Sequence, residues 1–318
     1  MCCWASGALS ALRSLPYRSG CEGCVPAERA EHRVNEKSAP QPFVQGIIDV
    51  AKAGEPDRYL SALLAPEPVR HALLALAAFA AEIARIPLAV REPAMGDIRL
   101  QWWRDALDSP ADSRTGSDIA DAVRVAAKRD ARLATLLHAM IDGHAMQLDT
   151  RGFPGEDAFW EFVWKTEGAQ FAAAALVLGS SGDMSARAAR AAGEAYGVAR
   201  ILFTLHRSLA AGRIPLPQAL LAAAGLTPEA LPAGETASQL APLLGNLSSD
   251  ARAHLQAARR LARDLPPAVK VAFLPLALVG PYLRAAEATV SGGFRKEPRV
   301  VPFTRVLRIA AARWGAGV

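Results

Sequence analysis

From Pro42 onward the chain is a succession of alanine- and leucine-rich stretches with apolar residues at helical spacing, and this pattern leaves room for little but packed helices. The spacing predicts helices over 43–53, 56–64, 66–88, 96–108, 117–125, 128–148, 155–179, 185–209, 236–264, 266–289 and 302–314. They break at turn signals such as Ala65-Pro66, Gly152-Phe153-Pro154-Gly155 and Ser180-Ser181-Gly182-Asp183. No alternating strand pattern exceeds a few residues, and aromatic residues make up only 6% of the chain, which disfavours a sandwich or barrel. No fixed-period repeat and no Pro/Ser-rich linker interrupts 41–316. The expectation is an all-α protein with one domain over 41–316, whose central helices are apolar nearly all round, hence buried, and enclose a central apolar cavity. The apolar stretches Ala72–Ala81 and Val271–Leu283 fall short of the roughly 20 residues of a membrane span. Any membrane contact is therefore expected to be peripheral.

Residues 1–40 differ in kind. They mix Ser, Gly, Pro, Arg and Cys without a helical period, and the first carboxylate is Glu22. A targeting peptide is one reading, and a disordered or mis-started extension is the other. All four cysteines, Cys2, Cys3, Cys21 and Cys24, lie here. The CxxC at 21–24 is half of a zinc site, but no second pair follows it, so a structural zinc is not expected and a disulfide framework for the body is excluded.

Common chemistries drop out by motif. The chain has no phosphate-binding GxxxxGK[ST] loop, no GxGxxG, no HExxH and no GxSxG elbow. The net charge of +5 is too mild to argue for nucleic acid, and basic residues do not interleave with aromatics as a base-stacking platform requires. A mildly basic surface suits a lipid headgroup or a diphosphate equally well.

Three segments, in order, carry a resemblance. The first runs from Arg58-Tyr59-Leu60 through Arg70 to Ala75-Leu76-Ala77-Ala78-Phe79. The second is Asp97-Ile98-Arg99-Leu100-Gln101-Trp102-Trp103-Arg104-Asp105-Ala106-Leu107. The third is Tyr196-Gly197-Val198-Ala199, followed by Gly212-Arg213-Ile214-Pro215-Leu216-Pro217. Together they resemble the squalene/phytoene synthase family of head-to-head prenyltransferases over roughly 41–316. The resemblance implies an isoprenoid-synthase-type helical bundle and a prenyl diphosphate ligand. It also implies magnesium held by Asp pairs on two facing helices, to neutralise the diphosphate as it leaves.

The chain departs from the family at both Asp-rich places. After Phe79 it reads Ala80-Ala81-Glu82-Ile83-Ala84-Arg85-Ile86-Pro87-Leu88, where Ala84, Arg85 and Leu88 stand at the expected carboxylate positions and Glu82 is the only acid. Between Glu194 and Glu229 there is no acid at all. The facing helices carry Arg85, Arg200, Arg207 and Arg213 instead, and an arginine in place of a ligand competes with a cation. The expectation is no cofactor and no metal, with catalytic residues unknown. This loss resembles a divergent branch of the family that includes a mitochondrial assembly factor for respiratory complex I.

Candidate ligand-binding residues are Tyr59, Glu82, Arg85, Arg99, Gln101, Trp102, Arg104, Arg200, Arg207, Arg213 and Tyr282. Plainer readings stand beside them. Trp102 and Trp103 commonly place one ring in the core and one at a helix interface. Glu82 and Arg85 are spaced for an intrahelical ion pair, and Arg200, Arg207 and Arg213 form either a phosphate grip or a solvated basic face. His206, beside Arg207, is either a general acid or a structural histidine. Near the carboxy terminus Arg284, Arg295, Lys296, Arg299, Arg305, Arg308 and Arg313 mix with Phe294, Phe303, Val306, Leu307 and Trp314, a pattern that suits an anionic membrane surface or a packing partner.

The functional expectation is a catalytically degenerate family member that binds a prenyl diphosphate or phospholipid, or assists respiratory-complex assembly through a protein partner, at the membrane surface. It would be cytoplasmic with peripheral contact to the inner membrane, or mitochondrial in a eukaryote. The alternatives are a nonenzymatic carrier that shields a polyisoprenoid, and an active prenyltransferase in which Glu82, Glu92 and Asp97 hold magnesium.

Overall fold

Proline opens several of the helices, because its fixed φ suits the first turn and its missing N–H leaves no orphan donor there. In the computed structural model, which describes residues 42–110, 113–227, 231, 237–293 and 297–315, these helices are α1 (Pro42–Gly54), α2 (Pro56–Leu63), α3 (Glu67–Ala89) and α4 (Pro93–Asp108). Then come α5 (Asp118–Ala127), α6 (Ala131–Ala145), α7 (Glu156–Val163), α8 (Ala169–Val177), α9 (Asp183–Ala210) and α10 (Gln218–Ala223). The order ends with α11 (Ala237–Arg263), α12 (Val279–Ser291) and α13 (Pro302–Trp314). All lie within one unit, Pro40–Val318. The readings made for residues 1–40 and for Phe294, Arg295 and Lys296 lie outside the described residues.

The fold is all-α, and the helices fall where the periodicity puts them with four local differences. Asp130 caps α6 by accepting from the Arg132 N–H at 3.0 Å, which starts the helix predicted over 128–148 at Ala131. The predicted 155–179 helix is interrupted by a π turn, Trp164–Gly168. The stretch 269–278 is a 3-10 helix around Pro275, which cannot donate to an α ladder. The short α10 has too few residues to leave a periodic signal.

Two segments, Glu67–Ala89 and Val269–Ser291, are long and apolar enough to cross a membrane by length and hydropathy, contrary to the expectation from the shorter apolar runs. Most of each apolar window, 61% and 67%, is buried inside the fold. Core burial therefore accounts for their composition. Phe79 and Ile83 of α3 and Phe273 and Leu276 of the second segment are fully buried.

α9 is the central helix, packed on α8, α11, α12 and the π turn. The buried residues of its first half, up to Ala195, are all small, among them Ala188, Ala189, Ala192, Gly193 and Ala195. That lets the π turn approach its backbone closely. A Cβ on Gly193 would lie 2.4 Å from Gly168 Cα and 2.5 Å from Gly168 N, so neither backbone could yield. α9 ends at Gly212, φ +68°, where Arg213 N–H donates to Ser208 O at 2.9 Å and closes a Schellman-type cap. The following strip is tied by Ile214 N–H to Thr150 O at 3.0 Å and by Phe153 N–H to Leu216 O at 3.1 Å.

A buried carboxylate joins the carboxy-terminal helices to this core. Asp57 at the start of α2 accepts hydrogen bonds from the hydroxyls of Tyr196 (2.6 Å) and Tyr282, and Arg305 Nε of α13 lies 2.7 Å from its other oxygen.

Two helical glycines should respond oppositely to alanine. Gly193→Ala should cost about 1–3 kcal/mol through overpacking against backbone. Gly46→Ala, at an exposed position of α1 with nothing within 4 Å of its new Cβ, should stabilise by up to about 1 kcal/mol. Urea unfolding of the two variants checks both signs, and a neutral Gly193→Ala would refute the close approach.

Candidate functional site

A cavity of about 400 Å³ lies between α3 and α9, closed by α6, the end of α7, the π turn and α8. Small and apolar residues at i, i+4 spacing, Ala80, Ala84 and Leu88, bring one face of α3 to it. The matching stripe of α9 is Gly197, Arg200, Ile201, Thr204, Ser208 and Ala211, with Arg207 at its exposed rim. Phe162 and Val163 add apolar wall. The remaining wall is polar: Glu55, His144, Gln147, Thr166, Glu167 and Gln170.

Glu55, Glu167 and Arg200 of this wall close a ring with Arg58, while Arg207 stands outside it at the rim. Arg58 Nη1 lies 2.8 Å from Glu55 Oε2, and its Nη2 lies 2.6 Å from Glu167 Oε2. Arg200 Nη1 donates to Glu55 Oε1 at 2.7 Å and to Glu167 Oε1 at 3.0 Å. All four carboxylate oxygens thus have an arginine partner. The elements explain the convergence. Glu55 and Arg58 sit one turn apart at the start of α2, Arg200 follows Gly197 on α9, and the π turn against Gly193 delivers Glu167. Arg58 also lies 5.0 Å over the Phe171 ring and 4.9 Å over that of Tyr196, and it is 9% exposed. Burial pushes the Glu167 carboxyl upward, but Arg200 and Arg58 outweigh it and hold the group below its usual range. Burial pushes the His144 imidazole below its ordinary value, and the hydrogen bond between Nδ1 and Gln147 Oε1 at 3.0 Å offsets this only in part.

The candidates read from sequence divide among several places. Arg200 and Arg207 line the cavity, and Arg200 is engaged by two glutamates on other elements. Arg213 sits beyond it, its guanidinium donating to the carbonyls of Gln147 (3.0 Å) and Val90 (3.2 Å), a tie across the Gly212 turn. Glu82, Arg85, Arg99 and Trp102 line a different, open hollow of about 250 Å³. There Arg85 and Glu82 pair at 3.0 Å, while Trp103 turns inward, edge-on to Phe79 at 5.3 Å. Gln101 donates to Asp105 at 2.7 Å on the exposed face of α4, and Arg104 donates to Asp142 of α6 at 2.7 Å, tying α4 to α6. Tyr282 is buried on Asp57 and against Phe203, 4.6 Å between centroids, and Tyr59 is half-buried against the core.

Glu55, Arg58, His144, Glu167 and Gln170 were not among those candidates. A signal for Glu167 existed: a lone acid amid Val163-Trp164-Lys165-Thr166 and Gly168-Ala169-Gln170-Phe171, in a predicted helix with a long apolar stretch, must find a partner once buried. The partner itself is distant in sequence, and no local pattern names it.

Magnesium, which the resemblance implies, takes oxygen ligands, several of them charged. On the α3 and α9 faces the cavity offers Ala84, Leu88, Ser208 and Ala211, and its two carboxylates already share their oxygens between two arginines. A cation would have to displace a guanidinium from each. Glu82, Glu92 and Asp97 do not converge: among the described residues no three His, Cys, Asp or Glu side chains come together as a metal site. The donor set does not fit the ion.

Comparison with known proteins identifies the fold and the family. The squalene/phytoene synthase family model matches residues 51–305. Curated relatives include the mouse and human proteins named NADH dehydrogenase (ubiquinone) complex I, assembly factor 6. They are 24% and 22% identical over 238 residues, 74% of this chain and 72% of theirs. The squalene synthase HpnC from Alicyclobacillus acidocaldarius superposes with a TM-score of 0.62 at 16% identity, covering 80% of this chain and 93% of that one. A dehydrosqualene synthase solved with a ligand gives 0.67 at 14% identity, covering 84% and 94%. With the family model matched over four-fifths of its length and the fold in common, this chain belongs to the squalene/phytoene synthase family.

Proposed function

We propose that this chain is a noncatalytic member of its family, working without a metal as a lipid-binding or respiratory-complex assembly module at a membrane surface. The observation that carries the reading is the closed Arg58–Glu55–Arg200–Glu167 ring in a cavity whose helix faces present Ala84, Leu88, Ser208 and Ala211. Ionising a prenyl diphosphate requires concentrated positive charge at the leaving oxygens. Here the buried positive charge is already neutralised.

The partner in this reading comes from the relatives named as complex I assembly factors. The place would be the inner membrane, on its cytoplasmic face in a bacterium or within the mitochondrion of a eukaryote. The membrane contact is supported by α13. Arg305 and the buried Ile309 hold one side of this helix to the domain. Phe303, Leu307 and Trp314 fall on the opposite side at helical spacing, 71%, 51% and 73% exposed, with Val306 beside them. Arg299, Arg308 and Arg313 flank this stripe, and Glu297 is the lone acid among the described residues 297–315. An apolar stripe ending in Trp and edged by arginine suits an anionic lipid surface.

Four outcomes are expected. Incubation with farnesyl or geranylgeranyl diphosphate and magnesium should give no condensed hydrocarbon by mass spectrometry, and a product abolished by Glu82→Gln would overturn the noncatalytic reading. Vesicles of phosphatidylcholine with phosphatidylglycerol should sediment the protein, and those of phosphatidylcholine alone should not. The combined variant Phe303→Ser, Leu307→Ser, Trp314→Ser should lose at least about tenfold in binding, and wild-type-like binding would remove α13 from the membrane contact. Deleting the gene should lower the amount of assembled complex I on native gels; unchanged complex would sink the assembly role.

A further inference from the structure

The strongest acceptors of the cavity wall are engaged, whereas several of its donors are not. All four carboxylate oxygens of Glu55 and Glu167 are held by Arg58 and Arg200, and Gln147 Oε1 accepts from His144 Nδ1 at 3.0 Å. Arg200 makes both of its ring contacts through Nη1, which leaves Nη2 to a ligand while the ring stays closed. About two turns further along α9, Arg207 and Ser208 line the mouth. Arg207 is exposed, and its guanidinium has no hydrogen-bond or ion-pair partner among the described residues. Nor do the carbonyls that end α9 claim it. Those of Arg207, Ser208 and Leu209 accept from the backbone N–H groups of Ala211 (3.1 Å), Arg213 (2.9 Å) and Gly212 (2.9 Å).

One charge on the lining is therefore uncompensated. The ring pairs two cations with two anions, and burial holds His144 below its ordinary value, so neither adds net charge at neutral pH. Arg213, beyond the lining, is engaged by the carbonyls of Gln147 and Val90. Arg207 alone remains, and it matches a head with one negative charge. Each further negative charge, as on a diphosphate, would share the cavity with Glu55 and Glu167 and have no cation of its own on the lining. Inward from Arg207, the buried residues Ala80, Phe162, Val163 and Ile201 give a tail an apolar path. A volume of about 400 Å³ lies near the low end of the roughly 300–1,000 Å³ usual for small-molecule sites, which suits one tail rather than two.

We infer that the cavity binds, without a metal, a single-tailed lipid whose oxyanion head carries one negative charge, with Arg207 as the residue that recognises that charge. This rests on the lipid-binding reading above and names the ligand class for that site.

Farnesol, farnesoic acid and farnesyl diphosphate share one tail type and differ in the charge of the head, so they isolate the claim. In calorimetric titrations of the full chain in EDTA at neutral pH, farnesoic acid should bind about five- to tenfold more tightly than farnesol, and at least as tightly as the diphosphate. Arg207→Gln should bring farnesoic acid to within about twofold of farnesol and leave farnesol itself unchanged. Arg85→Gln, which removes an arginine from the neighbouring hollow, should leave all three affinities as they were and so excludes a general effect of surface charge. Thermal melts report whether each variant folds, and the wild-type comparison of the three heads stands without either. Equal binding of farnesol and farnesoic acid, or an unchanged preference in Arg207→Gln, would overturn the inference and leave the lipid-binding reading in place. So would a diphosphate bound more than about tenfold more tightly than farnesoic acid in EDTA without product. Magnesium-dependent binding with a condensed product would overturn both. Binding of none of the three would overturn the inference and the lipid-binding reading, leaving the assembly role to its own measurement.

Discussion

Two arginines and two glutamates, drawn from the start of α2, from α9 and from the π turn, meet in one ring, and the geometry of the site follows from their need for each other. An isolated ion at such depth is strongly disfavoured, so each member is tolerable only while its partners are in place. Such a cluster need not exceed a packed apolar core in stability. Removing one partner is another matter, costing about 3–5 kcal/mol, because it strands a buried charge. The ring therefore acts as a register constraint, since α2, α9 and the π turn can satisfy it in one relative placement.

That placement depends on the small residues of α9. Gly193 and Gly197 let the π turn come against the helix backbone, and Glu167 reaches Arg200 only from that distance. A π turn holds its backbone in a rarely populated arrangement, and such turns concentrate where side-chain direction matters. Asp57 repeats the principle beside the ring. Its two tyrosines come from α9 and α12, and its arginine from α13, so α13 is docked by one buried polar contact together with Ile309. The opposite side of α13 is left to present Phe303 and Trp314 outward.

Much of the fold was legible because its cause is local. Helical spacing, proline at helix starts and glycine turns are properties of a few neighbouring residues, and the predicted spans agree closely with the observed ones. The differences at Asp130, Trp164–Gly168 and Pro275 are equally local, yet each depends on the chain choosing between near-equal hydrogen-bonding patterns. The site was legible in part. Arg200 and Arg207 were found, because a cation on a helix that should carry acids is visible in sequence. Glu55 and Glu167 escaped, since their meaning lies 145 and 33 residues away from Arg200. Glu82, Arg85, Arg99 and Trp102 share a hollow with one another rather than with Arg200, because α3 turns Ala80, Ala84 and Leu88 to the cavity and Arg85 away from it.

The helical architecture, the family, and the loss of acids at Ala84, Arg85 and Leu88 on one helix and throughout the facing stretch from Arg200 to Ala211 are legible from residue type, order and spacing. What the arginines do there follows from packing between distant segments. A lone arginine reads as a cation in search of an anion, whereas Arg200 in place is half of a neutral pair, and that state depends on which carboxylates the packing of Gly168 on Gly193 brings within 3.0 Å.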